Sequence, residues 1–252
     1  MKYKGKVALI TAGGRGIGLA VAEELAKGGA AIALNDVDAT RLEEAAAHLK
    51  RHGTKITVHP GSVMDEAFVA HMAAEAVREH GKIDLLLNNA GGGPPGAGWG
   101  EFVNISSADF RAFMELNFFS QVTVLRAVLP GMLVYGYGKV VCVSSISAIL
   151  GQEAGSHYAA GKMALHGLVA SVAKEVGRKG VNINGVILGN PPHPSRTKGR
   201  QDYLDKLSHM DRVGAFEEFG KSIAFLLSDD ASYISGTMMP IDGGLLVPRL
   251  NE

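Results

Sequence analysis

Short apolar runs alternate along this chain with longer stretches in which apolar residues recur three or four positions apart. Residues 7–11 form a β-branched apolar run, and a glycine-rich turn follows. Beyond it Ile17, Leu19, Ala20, Val21 and Leu25 keep helical spacing until Gly28-Gly29 stops the pattern. The pairing then repeats. Strands are predicted over 31–35, 55–59 and 83–87, and helices over 39–52 and 65–80. A Gly/Pro-rich loop, 91–100, precedes a long helix that Ser107 caps and that runs through Leu129, with Pro130 near its end. The rest reads as a strand over 139–144, a helix from Tyr158 to Arg178, a strand over 182–188, a Pro-rich stretch with a helix inside 190–210, a helix over 216–227 and a strand over 238–241.

Strands alternating with helices predict a mostly parallel sheet, and continuously apolar strands predict burial on both of its faces. The expected fold is therefore α/β, a doubly wound Rossmann-type sheet of seven strands with helices on both faces. Neither long loop separates two core patterns, so residues 1–252 are expected to form one domain, with 190–212 as a lid over the substrate. Ligands in such sheets bind beyond the carboxyl ends of the strands, where both long loops leave.

Composition narrows the function. Hydrophobic residues make up 46% and charged residues 20% of 252, as in a globular protein. Lys+Arg and Asp+Glu are both 25, so no basic excess points to nucleic acid. The one cysteine, Cys142, lies in the run Val140-Val141-Cys142-Val143, which excludes an internal disulfide and a cysteine-based zinc site. The histidines show no metal-binding spacing, and no metal is expected. No uninterrupted apolar run reaches the ~18 residues of a membrane span, and the first residues show no signal pattern, so the cytoplasm is the expected location and no membrane partner is expected.

The turn Thr11-Ala12-Gly13-Gly14-Arg15-Gly16-Ile17-Gly18 joins a strand to a helix. There glycines let a pyrophosphate approach the backbone, and the helix N-terminus offers free N–H groups. Thr11, Gly13, Arg15, Gly16, Ile17 and Gly18 are the candidate cofactor contacts. Asp36 lies 36 − 18 = 18 residues past Gly18, near the end of the second strand. An acid there bonds the ribose 2′-hydroxyl of NAD and repels the 2′-phosphate of NADP. Arg15 is a counter-signal, since a cation can meet that phosphate. NAD is the expected cofactor, with NADP left open.

Tyr158 and Lys162 are four residues apart on a predicted helix and share a face. A phenol is a poor base at neutral pH, and an ammonium nearby favours its phenolate, so Lys162 is expected to lower the pKa of Tyr158 into the range of general acid–base catalysis. Ser145 ends a strand at its carboxyl end and can hold a substrate oxygen beside Tyr158.

Four segments, in order and spacing, resemble the short-chain dehydrogenases/reductases: the turn from Thr11 to Gly18, Asn88-Asn89-Ala90-Gly91, Ser145 thirteen residues before Tyr158, and Tyr158-x-x-x-Lys162. The resemblance runs from about Lys4 to Gly244. It implies that Lys162 also binds the nicotinamide ribose and that Asn117 holds a water linking Lys162 to solvent. The expected catalytic set is thus Asn117, Ser145, Tyr158 and Lys162. Asn88 reads as mainly structural, while Asn89, Ala90 and Gly91 line the cofactor. Ser62 stands where the family usually has an adenine-binding Asp, with Val63 beside it. Ala12 replaces a usual Gly, and a methyl there is tolerable if its φ is negative. Leu188-Gly189 replaces Pro-Gly, leaving Gly189 as a contact. His193 falls where a Thr often meets the carboxamide, with Ser195 or Thr197 as substitutes.

The expected reaction is hydride transfer between a nicotinamide cofactor and a small secondary alcohol or ketone. Trp99, Ser147, Gln152, His157 and His193 are candidate substrate contacts. The rivals are an NADP-dependent 3-oxoacyl-carrier-protein reductase and a non-catalytic NAD(H)-binding regulator. Asp36 and the uncharged stretch 133–138 argue against the first, and the full Asn117, Ser145, Tyr158, Lys162 set argues against the second. Long helices with apolar residues on several faces, and the family resemblance, predict a homotetramer or homodimer.

Overall fold

The computed structural model describes residues 1–192 and 197–248. Seven strands share one sheet: β1 (Val7–Ile10), β2 (Ala31–Asp36), β3 (Ile56–Pro60), β4 (Leu85–Asn88), β5 (Gly138–Ser145), β6 (Val181–Leu188) and β7 (Met238–Ile241). Their order is β3-β2-β1-β4-β5-β6-β7, and every pairing is parallel. The predicted doubly wound α/β architecture is the observed one. The strand order reverses between β1 and β4, which opens a crevice at their carboxyl ends.

Nine helices among the described residues connect the strands: α1 (Gly16–Lys27), α2 (Ala39–Leu49), α3 (Glu66–His80), α4 (Ser107–Met114), α5 (Ser120–Tyr135), α6 (Ser147–Leu150), α7 (Ser156–Val176), α8 (Lys198–Leu207) and α9 (Phe216–Leu226). The strand pleat sends alternate residues to opposite faces. Ala8, Ile10, Leu85 and Leu87 meet Val21 and Leu25 of α1, Leu42 of α2, and Phe219 and Ile223 of α9. On the other face Leu9 and Leu86 meet Val69 and Met72 of α3, Val124 and Val128 of α5, and Val169 of α7. Burial on both faces explains why these strands read as unbroken apolar runs.

The long helical run departs from its prediction in three ways. Its cap is Ser106, not Ser107: the Ser106 Oγ accepts the Asp109 N–H at 3.0 Å. A π turn, Glu115–Phe119, interrupts it between α4 and α5. Pro130 does not end it; Gly136, at φ +64°, does. From Ser107 to Tyr135 it is long and apolar enough, by length and composition, to cross a membrane. That corrects the expectation that no segment reaches this size, because Asn117, Ser120 and Gln121 break the apolar run without lowering the average enough. Here the run packs Phe113, Val124, Leu125, Val128 and Met132 into the core.

Ala12 is a second departure. Its φ is +49°, not negative. The turn needs a left-handed residue between β1 and α1, and a Cβ there is crowded by its own backbone. Ala12→Gly is expected to stabilise the chain by about 1 kcal/mol, read as an increased urea midpoint at unchanged slope.

Candidate active site

The crevice is bounded by the β1–α1 turn, the ends of β4 and β5, the π turn and the first turns of α7. Thr11 and Asn89 hold it together. The Thr11 hydroxyl accepts the N–H groups of Asn89 (2.9 Å) and Ala90 (3.1 Å). The Asn89 amide donates to the carbonyls of Thr11 (3.2 Å) and Ala12 (3.1 Å). Both side chains were expected to touch a cofactor. The Thr11 hydroxyl and the Asn89 Nδ2 are turned into the protein, where they shape the crevice.

In the glycine turn, the Gly13 N–H bonds Asn35 O at 2.7 Å and Gly16 takes φ +57°. A Cβ on Gly18 would run into the carbonyl of Ala12 and lie 3.0 Å from Asn89 Nδ2. Arg15 is the exposed N-cap of α1 and gives the helix no side-chain cap bond, and the first turn, with Ile17, carries no acid. A helix start with free N–H groups and no competing carboxylate fits a phosphate.

Asp36, 6% exposed, ends β2 against this turn. Its Oδ2 accepts the Gly14 N–H at 3.2 Å and its Oδ1 accepts the Asp38 N–H at 3.1 Å. Arg41 Nη1 stands 3.8 Å from the same carboxylate, and its Nη2 pairs with Asp38 at 2.8 Å. Sequence reasoning missed Arg41; its place in the first turn of α2, beside Asp38, was the available signal. Further along the crevice, Ser62 Oγ accepts the Met64 N–H at 3.2 Å, Val63 and Ala90 are buried, and the Gly189 N–H bonds Ile241 O at 2.9 Å.

Lys162, Asn117 and Gly91 meet beside Tyr158. A Cβ on Gly91 would lie 2.5 Å from Lys162 Nζ and 2.9 Å from Asn117 Oδ1, so only glycine admits both. Asn117 sits in the π turn, where a widened backbone is common at functional sites. Its Oδ1 accepts the Gly92 N–H at 2.8 Å, and its Nδ2 donates to Gly92 O (2.8 Å) and Phe113 O (3.0 Å). Its visible work is to clamp the loop after β4. Lys162, 2% exposed, donates from Nζ to Val143 O at 2.9 Å and lies 5.9 Å from the Tyr158 ring centre. Among the described residues no acid neutralises it, and burial pushes its pKa down to about 8.

Burial also acts on Tyr158, raising its pKa, opposed by a hydrogen bond with Ser145. The expected lowering by Lys162 is not what this chain produces alone, because desolvation of the phenolate outweighs the hydrogen bond with Ser145. Ser145 Oγ donates to Ser147 Oγ at 3.2 Å and accepts the Ser147 N–H at 3.2 Å. Ser147 Oγ donates in turn to Gln152 Oε1 at 2.8 Å. Two expected substrate contacts thus orient Ser145. His157 is fully buried with both ring nitrogens bonded, which removes it as a direct contact. Trp99 stays partly open, 5.6 Å from the Tyr158 ring. His193 and Ser195 lie outside the described residues; the Thr197 hydroxyl caps α8.

A doubly wound sheet with a glycine turn, an acid at the end of β2 and a Ser, Tyr and Lys cluster at the crevice defines a dinucleotide-binding class of protein. The comparisons agree. A family model described as enoyl-(acyl carrier protein) reductase matches residues 11–246. The chain is 33% identical to oxidoreductase UcpA of Escherichia coli K12, covering 98% of this chain and 97% of that one. It is 30% identical to the 3-oxoacyl-[acyl-carrier-protein] reductase FabG of Thermotoga maritima, over 98% of this chain and 100% of that one. The solved NAD+-bound xylitol dehydrogenase superposes with a TM-score of 0.91 at 29% identity, covering 97% of this chain and 100% of that one. The chain belongs to the short-chain dehydrogenase/reductase family of oxidoreductases.

The buried lysine carries a pH signature. Below pH 8 it is protonated in both states. Between about 8 and its ordinary 10.5 only the unfolded chain keeps the proton, so stability rises with pH there. In urea titrations of the cofactor-free protein, the stability of wild type minus that of Lys162→Met is expected to be flat below pH 8. Above it the difference should climb by at most about 1.4 kcal/mol per pH unit.

Proposed function

We propose that this chain transfers a hydride between a nicotinamide cofactor and a small secondary alcohol or ketone, with Tyr158 as general acid and base. The observation that carries this reading is the meeting of Lys162 Nζ and Asn117 Oδ1 at Gly91, with the Tyr158 ring centre 5.9 Å from the same Nζ. The free start of α1 and the bare Gly91 suit a dinucleotide stretched from Asp36 to Lys162. When bound, the nicotinamide supplies or accepts the hydride.

The chain's own residues manage the oxygen and its proton. Ser145, held in place by Ser147 and Gln152, bonds the substrate oxygen. In reduction the Tyr158 hydroxyl donates its proton to that oxygen, and burial keeps the phenol protonated at neutral pH, ready for this step. In oxidation the phenolate accepts the proton, and the Lys162 ammonium favours that form while it remains charged. Asn117 keeps the loop that carries Gly91 closed on Lys162.

NAD is the favoured cofactor. Asp36 spends one bond on each oxygen and keeps lone pairs for a ribose hydroxyl, while its charge opposes a 2′-phosphate. Arg41 softens that opposition, so the preference for NAD over NADP is a difference of degree. A carrier-protein reductase is less well supported, since the end of α5 and the residues after it, 133–138, carry no cation to dock an acidic partner. Self-association as a homodimer or homotetramer belongs to the same reading, supported by the half-exposed Phe119 and Met163, and light scattering reads it directly.

Two variants test the assignment. Tyr158→Phe is expected to keep NADH binding, followed by nicotinamide fluorescence, and to lose turnover of secondary alcohols by at least about a hundredfold; undiminished turnover would remove Tyr158 from the chemistry. In titrations with both cofactors, Asp36→Ala is expected to narrow the gap between NADH and NADPH by weakening the first and strengthening the second. An unchanged gap would show that Asp36 is not the selector.

A further inference from the structure

Helix α7 starts on Gly155, which has no side chain to satisfy the free N–H groups of the first turn. His157 satisfies one of them: its Nδ1 accepts the backbone N–H of Tyr158 at 3.0 Å. A ring nitrogen that accepts carries no proton, so the neutral imidazole holds its hydrogen on Nε2. That Nε2 lies 3.1 Å from the carbonyl oxygen of Gly98, which can only accept. The ring is a two-ended strut between the backbone of Tyr158 and the residue before Trp99. It is fully buried, stacked on Phe113 with centroids 3.7 Å apart. Trp99 packs edge-on against both His157 (5.5 Å) and Phe113 (4.7 Å) and leans over the Tyr158 ring at 5.6 Å. The loop is pinned further by the Gly98 N–H on Asp109 Oδ1 (3.3 Å) and the Gly100 N–H on Ala154 O (3.0 Å). Trp99 nevertheless remains 48% exposed, so indole surface is open beside the phenol.

We infer that Trp99 is a wall of the substrate pocket that favours an apolar ring on the carbon bearing the reacting oxygen, and that His157 is the positioning residue that fixes the wall relative to Tyr158. The substrate half rests on the oxidoreductase reading; the strut stands on geometry alone. An indole gains contact with a ring that it does not gain with a methyl group.

Trp99 is the only tryptophan, so its fluorescence reports the wall with no ligand present. His157→Gln places an amide N–H near the position of Nε2 and keeps the donor to Gly98. His157→Asn reaches only the position of Nδ1 and loses that donor. The expected result is a red-shifted emission and stronger acrylamide quenching in His157→Asn, with His157→Gln close to wild type. NADH affinity should be unchanged in both, which separates a moved wall from an unfolded chain. In turnover with NAD+, the ratio of kcat/KM for cyclohexanol over 2-propanol should fall about three- to tenfold in His157→Asn and recover in His157→Gln. Unchanged emission in His157→Asn, or an equal shift in both variants, overturns the strut. Shifted emission with an unchanged ratio overturns the wall. If the wild type oxidises neither alcohol, the wall falls together with the alcohol reading, while the fluorescence comparison still decides the strut.

Discussion

Where the strand order reverses, β1 and β4 part company, and the peptide groups just beyond them lose the ladder that paired those below. Buried backbone groups without partners are costly, so side chains must take over. Thr11 and Asn89 do so, each bonding backbone of the segment that follows the other strand. That clasp sets where the glycine turn leaves the sheet and where Gly91 faces Lys162. The crevice, the helix start beneath it and the cluster beside Tyr158 all depend on it.

A second constraint is charge in a dry place. Lys162 is buried with no acid beside it among the described residues; its ammonium is held by a backbone carbonyl and its pKa falls. Tyr158 is partly buried, and desolvation raises its pKa. Desolvation thus drives two ordinarily similar pKa values apart: the phenol is held more firmly neutral, while the ammonium comes within reach of losing its proton at about 8. Shifts of this kind cluster at functional sites. The chain permits the arrangement only because Gly91 lacks a side chain and Asn117, in the π turn, bonds the loop at Gly92 as well as Phe113 O of its own helix.

Positions singled out in the sequence differ in kind. Ala12 places a methyl in a left-handed conformation and costs stability locally. Asp36 is present as expected, but Arg41 shares its carboxylate, which turns a simple charge rule into a balance. His157, a plausible ligand from its place in the sequence, is a structural strut because both of its nitrogens are already bonded.

The sequence by itself determined the parallel, doubly wound sheet, because burial on both faces demands unbroken apolar strands and helices demand their own period. It also determined that Tyr158 and Lys162 share a face, since one helical turn separates them, and the family resemblance placed Ser145 beside them. Only the tertiary structure decided the rest. Which way the Thr11, Asn89 and His157 side chains point depends on partners 78, 78 and 59 residues away, and no local period encodes such a meeting. The π turn, the bypassed Pro130 and the positive φ of Ala12 belong to the same group: each is a local preference overruled by packing against the sheet. The direction of the Tyr158 shift was hidden for the same reason, because desolvation depends on everything that surrounds the phenol, whereas the helix spacing shows only its nearest charge.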